Sequence, residues 1–148
     1  MVATKFLVLL EFASFTKPAG EGYETMGKKG FNDLLVWQLA KDLAVRVYCV
    51  SESQNLKKDF GLCDQIRRSA VSVASNLAEG DERSSDRDSG RFFYMAKGSV
   101  AEVRTQIQIA CEVGHLRKPE YDILEAEYEQ LAKKIGSLIR ARSQASSH

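Results

Sequence analysis

Two adjacent arginines carry the clearest potential for chemistry in this 148-residue chain. Arg67 and Arg68 lie in the segment QIRRSAVSVASNLAEG, whose apolar residues recur at helical spacing. Neighbouring residues on a helix project about 100° apart, so both guanidinium groups cannot face the core. One or both could reach the phosphates of a nucleic acid, or they could form ion pairs within the protein, for example between Arg68 and Glu102. Both interpretations stay open at this point.

A second group of basic residues lies near the C-terminal end of the sequence. Its members are Lys133, Lys134, Arg140 and Arg142, which Lys28 and Lys29 could join in a basic end surface. Such a surface binds phosphates by charge, and its repetition in an oligomer would strengthen weak contacts. The alternative is a solvated helix end, because cations stabilise the C-terminus of a helix. With a net charge of +1, binding must depend on such local patches.

The residues give little support to metal binding or catalysis. Glu112 and His115 have the i,i+3 spacing of a di-iron ligand pair, but a site needs a second pair, and the other histidine is His148. Only a site shared between copies stays possible. The sequence has no Gly-x-Ser-x-Gly and no glycine-rich phosphate loop. We therefore expect no enzymatic activity and no cofactor or metal, with His115 helping to close a helix.

Four amphipathic segments must position these side chains. They run from about residue 32 to 53, 62 to 79, 90 to 114 and 119 to 142, with apolar residues at steps of three and four. In the second segment the large apolar residues alternate with serine and alanine, which let a neighbouring helix come close. The segments predict an all-α fold, an antiparallel up-down-up-down four-helix bundle.

Turn residues predict where these helices begin and end. Asn32 or Asp33 could cap the first helix. Gly80 is expected to end the second helix in a left-handed conformation, and residues 81–89 lack apolar side chains and predict a solvated loop. Gly114 should end the third helix in the same way.

Composition shifts divide the chain into three parts. We expect a non-core leader over residues 1–28, the bundle domain over 29–142 and a frayed tail over 143–148. The apolar run Phe6–Leu10 is too short for a signal-peptide core or a membrane span. The three cysteines predict free, buried thiols in a reducing cytoplasm: Cys49, Cys63 and Cys111.

The ordered segments FNDLLVWQLAKDLAVRVY, QIRRSAVSVASNLAEG and RFFYMAKGSVAEVRTQ resemble the four-helix bundle proteins encoded in 23S ribosomal RNA intervening sequences. The resemblance covers about Phe31 to Ile139, and its most specific elements are Trp37–Gln38, QIRR, NLAEG and AKGSVAE. It implies a homopentamer without a defined activity. It also implies a relation to a retroelement accessory protein that binds nucleic acid through a basic surface. The acidic residues between Gly80 and Arg91 depart from that pattern.

Self-association is also expected from the aromatic residues, which exceed what one small core can hold: Trp37, Tyr48, Phe93 and Tyr94. We therefore expect a non-enzymatic, oligomeric helical scaffold that binds RNA or DNA through basic patches. The alternative is a protein–protein interaction module that binds another polypeptide and no nucleic acid.

Overall fold

A computed structural model describes residues 30–145 of the chain. A short 3-10 helix, Phe31–Asp33, precedes five α-helices. They are α1 (Leu35–Ser51), α2 (Gln54–Lys58), α3 (Phe60–Asp81), α4 (Asp86–Glu112) and α5 (Lys118–Ala145). This part of the chain contains no β-strand, so the predicted all-α class is confirmed. The expected leader over residues 1–28 lies outside the described residues, and α5 continues three residues beyond the predicted domain boundary at 142.

The four long helices form a bundle in which each packs against the next. α1 contacts α3 and α5, the largest contact joins α3 to α4, and α5 packs on α4. Ser69 Oγ lies 3.2 Å from Glu102 Oε2, and Ser72 Oγ lies 2.9 Å from Ser99 Oγ. Because the α4 numbers fall as the α3 numbers rise, these two helices run antiparallel. The predicted helical bundle is confirmed, and its serine-rich helix takes part in the largest helix–helix contact.

Apolar side chains from all four long helices fill one core. The fully buried ones include Val47 in α1, Ile66, Val73 and Leu77 in α3, Phe93, Val100 and Ile107 in α4, and Leu124, Tyr128, Leu131 and Ile135 in α5. Burying one such side chain stabilises a fold by about 1.5–3 kcal/mol. The Tyr128 hydroxyl lies in this core without a hydrogen-bond partner among the described residues, and burial raises its pKa.

The prediction that Gly80 ends the second helix is wrong. α3 continues through Gly80 to Asp81, and Gly80 does not adopt a positive φ. A Cβ atom at this position would lie 2.6 Å from Cε1 of the buried Phe93 and 3.1 Å from Cβ of Phe92. Glycine is therefore required here because α4 approaches the backbone of α3, and not because the chain turns.

Two other turn predictions have different outcomes. Gly114 has φ +81°, the left-handed conformation expected of a residue that ends a helix, so this prediction is confirmed. The predicted cap at Asn32 or Asp33 is wrong, since Leu34 occupies the N-cap position of α1 and no side chain bonds there. Asn32 and Asp33 instead belong to the 3-10 helix.

The three cysteines are free, as predicted, but only Cys63 is buried. Cys49 is exposed on α1 and Cys111 is half-buried on α4, so the prediction that all three are buried is wrong. None of the helices in residues 30–145 has the length and apolar composition that a membrane crossing requires.

Candidate nucleic-acid interface

Arg67 connects α3 to the end of α1. Its Nε donates to Ser51 Oγ at 2.7 Å and its Nη2 donates to Glu52 Oε1 at 2.7 Å. The guanidinium also lies over the Tyr48 ring, 4.9 Å from the ring centre. Hydrogen bonds from Lys57 and from Arg67 lower the pKa of the Glu52 carboxyl. These contacts assign Arg67 a role in holding two helices together.

Arg68 lies on the surface and does not pair with Glu102. Its side chain is 79% exposed, and its Nε donates to Asp64 Oδ2 at 2.8 Å, one turn earlier on the same helix. Glu102 instead accepts a hydrogen bond from Ser69. The ion pair between Arg68 and Glu102 is therefore not formed, because the next residue, Ser69, is the one that faces α4.

Arg142 lies inside the bundle, where its side chain is 6% exposed. Its Nη2 bonds to Asp81 Oδ1 at 2.7 Å, and its Nη1 lies 3.6 Å from Asp86 Oδ1. The guanidinium carbon is 5.6 Å from the centre of the Phe93 ring. The structure thus separates Arg142 from the other basic residues of its segment, since it ties α5 to the connection between α3 and α4.

A surface groove between α4 and α5 brings together two of the predicted basic residues and two that sequence reasoning missed. We call it the basic groove, and its cations are Lys97, Arg104, Lys133 and Arg140. Three small residues of α5, Ala132, Gly136 and Ser137, line the same groove together with Glu129. The groove is therefore lined by long cationic side chains and by small residues, which we call its floor.

The cations of the basic groove are only partly neutralised by carboxylates. Arg104 Nε donates to Glu125 Oε1 at 2.9 Å, a hydrogen bond that raises the pKa of Arg104, and Lys133 lies 3.1 Å from Glu129. Arg140 donates to the neutral Ser137 hydroxyl at 3.0 Å. Lys97 is exposed, and the carboxylates beside the groove pair with Arg104 and Lys133, so Lys97 has no acidic partner in residues 30–145. The groove therefore keeps an excess of positive charge.

The remaining sequence candidates lie apart from the groove cations or outside the described residues. Lys134 is half-buried on α5, and Lys28 and Lys29 precede residue 30, where the description begins. Lys97 and Arg104 are seven residues apart, as are Lys133 and Arg140. This shared interval could have indicated two cations on one face of each helix. It could not have shown that the two faces adjoin.

Glu112 and His115 do not share a partner in the structure. Glu112 accepts a hydrogen bond from Gln108, whereas His115 Nε2 lies 3.4 Å from Asp59 Oδ2. The backbone N–H of His115 donates to the Ala110 carbonyl at 2.8 Å, so His115 helps to close α4 as expected. Across residues 30–145 no group of three His, Cys, Asp or Glu side chains is arranged to hold a metal ion.

A second surface feature lies on the other side of the bundle, where α1 and α3 meet. Here Val45, Tyr48 and Val71 are 56%, 46% and 43% exposed. They line a shallow groove with the partly buried Trp37 and Ala74. We call this surface the apolar face. Contiguous apolar side chains of this kind mark interaction sites in many proteins.

Comparison with known proteins shows which fold and which family this chain shares. A search of curated proteins finds no match. Among solved structures, a protein of unknown function from the S23 ribosomal protein family of Bacteroides thetaiotaomicron is similar, with a TM-score of 0.64 and 21% sequence identity. The alignment covers 71% of this chain and 98% of that one, which shows a shared fold. The family model described as 23S rRNA-intervening sequence protein matches residues 32–137, more than half of the chain. The chain belongs to the 23S rRNA-intervening sequence protein family.

Proposed function

We propose that this protein is a non-enzymatic, self-associating scaffold of the cytoplasm that binds RNA or DNA through the basic groove. The observation that carries the proposal is the set of four cations between α4 and α5, two of them without a carboxylate partner in the contacts described above. The three free cysteines support a reducing compartment.

The groove suits a phosphate backbone because of its shape and its charge. Lys97 and Arg104 are two helical turns apart on α4, about 10 Å, and Lys133 and Arg140 repeat this spacing on α5. Cations in two rows can contact successive phosphates, and each contact releases counterions. The small floor residues leave room for the backbone to lie between the rows.

Reversing two charges of the groove should abolish most of this binding. The variant Lys97→Glu/Arg140→Glu removes the two cations without acidic partners and adds two repulsive carboxylates. We expect its affinity for RNA and DNA oligonucleotides to fall at least roughly tenfold at low salt, since each lost phosphate contact reduces counterion release. Fluorescence anisotropy at several salt concentrations would measure both the affinity and the salt slope.

A matched control changes the same number of charges at the other end of the bundle. Lys57→Glu/Lys58→Glu alters α2, in which Asn55 donates to the Gly114 carbonyl, and should leave oligonucleotide affinity within about twofold. Equal losses in the two double variants would show that net charge, and not the groove, governs binding. If the affinity of the wild-type protein for oligonucleotides does not change with salt concentration, the proposal is wrong.

Self-association is the second part of the proposal, and the apolar face supports it. Its exposed valines and tyrosine lie beside partly buried aromatic and alanine side chains, so a second copy could cover them without displacing the core. A homopentamer is the assembly that the family resemblance leads us to expect. A closed pentameric ring requires head-to-tail contacts, in which the apolar face of one copy packs against a different surface of the next copy.

Introducing charge on the apolar face should dissociate the assembly. We expect Val45→Glu/Val71→Glu to sediment near the 16.5 kDa mass of one chain, while the wild-type protein sediments as an oligomer. Burial of an unpaired carboxylate at the contact is the physical reason. Ile123→Glu, at a residue 49% exposed on α5, is the control and should stay oligomeric. A wild-type protein that sediments as a monomer would contradict the proposed self-association.

The apolar face also favours the alternative function, a module that binds another protein. Retention of a polypeptide partner that is lost in Val45→Glu/Val71→Glu and insensitive to salt would favour this alternative. Nucleic-acid binding that requires Lys97 and Arg140 would favour the scaffold.

A further inference from the structure

Tyr94 is an exposed aromatic residue of α4, one helical turn before Lys97 of the basic groove. Tyr94 is 62% exposed, more than any other aromatic side chain on α4. Lys97 follows it by three residues and Arg91 precedes it by three, and residues three apart are neighbours on a helix surface. An accessible aromatic ring is thus placed between two cations, one of which lines the groove.

From this arrangement we infer that the groove takes single-stranded nucleic acid, with a base stacked on the Tyr94 ring. The inference rests on the proposed function and specifies its ligand. Proteins that bind single strands combine a positive groove for the backbone with aromatic rings on which bases stack. In a duplex the faces of the bases are stacked on one another, so the Tyr94 ring would not increase the affinity for a duplex.

The surroundings of Tyr94 leave a base free to approach. Gly98, one turn further along α4, would meet nothing within 4 Å even with a Cβ added, and Ala101 beyond it is an exposed small residue. The surface of α4 between Tyr94 and Arg104 therefore carries little bulk at these two positions. This is the geometry that a strand needs if its backbone follows the cations while one base turns onto the ring.

The test compares oligonucleotides with and without bases. We expect Tyr94→Leu to weaken binding of oligo(dT) and oligo(U) of about 12 nucleotides roughly tenfold, because stacking of one base has an effect of this size. An abasic deoxyribose-phosphate oligomer of the same length should bind the wild type and Tyr94→Leu equally. Tyr94→Phe, which keeps the ring, should bind like the wild type. Phe60→Leu, at another exposed aromatic residue, is the matched control.

The outcomes separate this inference from the proposed function. In one outcome Tyr94→Leu binds oligo(dT) and oligo(U) as the wild type does, while Lys97→Glu/Arg140→Glu loses binding. That result would contradict base stacking on Tyr94 and support binding through the basic groove. Tighter binding of a duplex than of the single strand would also overturn it. Absence of binding to any oligonucleotide would overturn both. Tighter binding of oligo(U) than of oligo(dT) would assign the ligand to RNA, and the reverse would assign it to DNA. Circular dichroism of each variant confirms the fold.

Discussion

Replacing Arg142 with methionine should lower the free energy of unfolding by about 3–5 kcal/mol. The Arg142 and Asp81 side chains are only 6% and 5% exposed, and 2.7 Å separates their bonded atoms. Without the guanidinium, the Asp81 carboxylate would lose this charged partner while it stays out of water. Breaking a buried ion pair from one side costs more than the pair itself contributes, because the remaining charge is poorly solvated.

Urea unfolding at a fixed protein concentration measures this effect, and two further variants make it specific. Arg68→Met removes an arginine from an exposed ion pair, so we expect a loss of less than about 1 kcal/mol. Asp81→Asn/Arg142→Met removes both charges and should recover a substantial part of the loss. A loss in Arg142→Met no larger than that in Arg68→Met would show that the buried pair does not hold α5 to α3.

The burial of Arg142 could have been predicted from its position in the sequence. Tyr128, Leu131, Ile135 and Leu138 alternate at steps of three and four, and Arg142 is the next position of that series. Residue type alone groups Arg142 with Lys133 and Arg140 as surface cations, whereas periodicity assigns it to the core. For Arg142, the residue type suggests the surface and the helical periodicity suggests the core, and the structure agrees with the periodicity.

The basic groove could be predicted only in part, for a different reason. Periodicity within α5 places Lys133 and Arg140 on one face, but it does not show which helix lies beside them. Lys97 and Arg104 complete the groove from α4, and their contribution depends on the packing of two elements about 35 residues apart. Single-helix patterns therefore predicted the four long helices and the core, but not the short helix α2, while the site arises where two helices meet.

Gly80 shows the same limit, because glycine has two structural uses that look alike in a sequence. A glycine after an apolar helical run can end the helix in a left-handed conformation, or it can let another backbone or ring approach. Gly114 serves the first use and Gly80 the second. The difference lies in the position of Phe93 on α4, which no local pattern around residue 80 contains.

Substituting alanine at Gly80 and at Gly98 should therefore change stability in opposite directions. Both glycines lie within long helices, where alanine is ordinarily favoured by about 0.5–1 kcal/mol. At Gly98 the added methyl group meets nothing within 4 Å, so we expect that gain. At Gly80 it would lie 2.6 Å from Cε1 of Phe93, and overpacking should cost about 1–3 kcal/mol in the free energy of unfolding.

The cause of the loss at Gly80 can be isolated because one side chain produces most of the collision. Phe93 is fully buried, so its ring cannot move aside without displacing its neighbours in the core. In a double-mutant cycle, Phe93→Leu frees space next to residue 80, and the cost of Gly80→Ala should shrink in that background. Additive effects of the two substitutions, or a gain in stability from Gly80→Ala alone, would show that α4 does not approach the α3 backbone as closely as the structure has it.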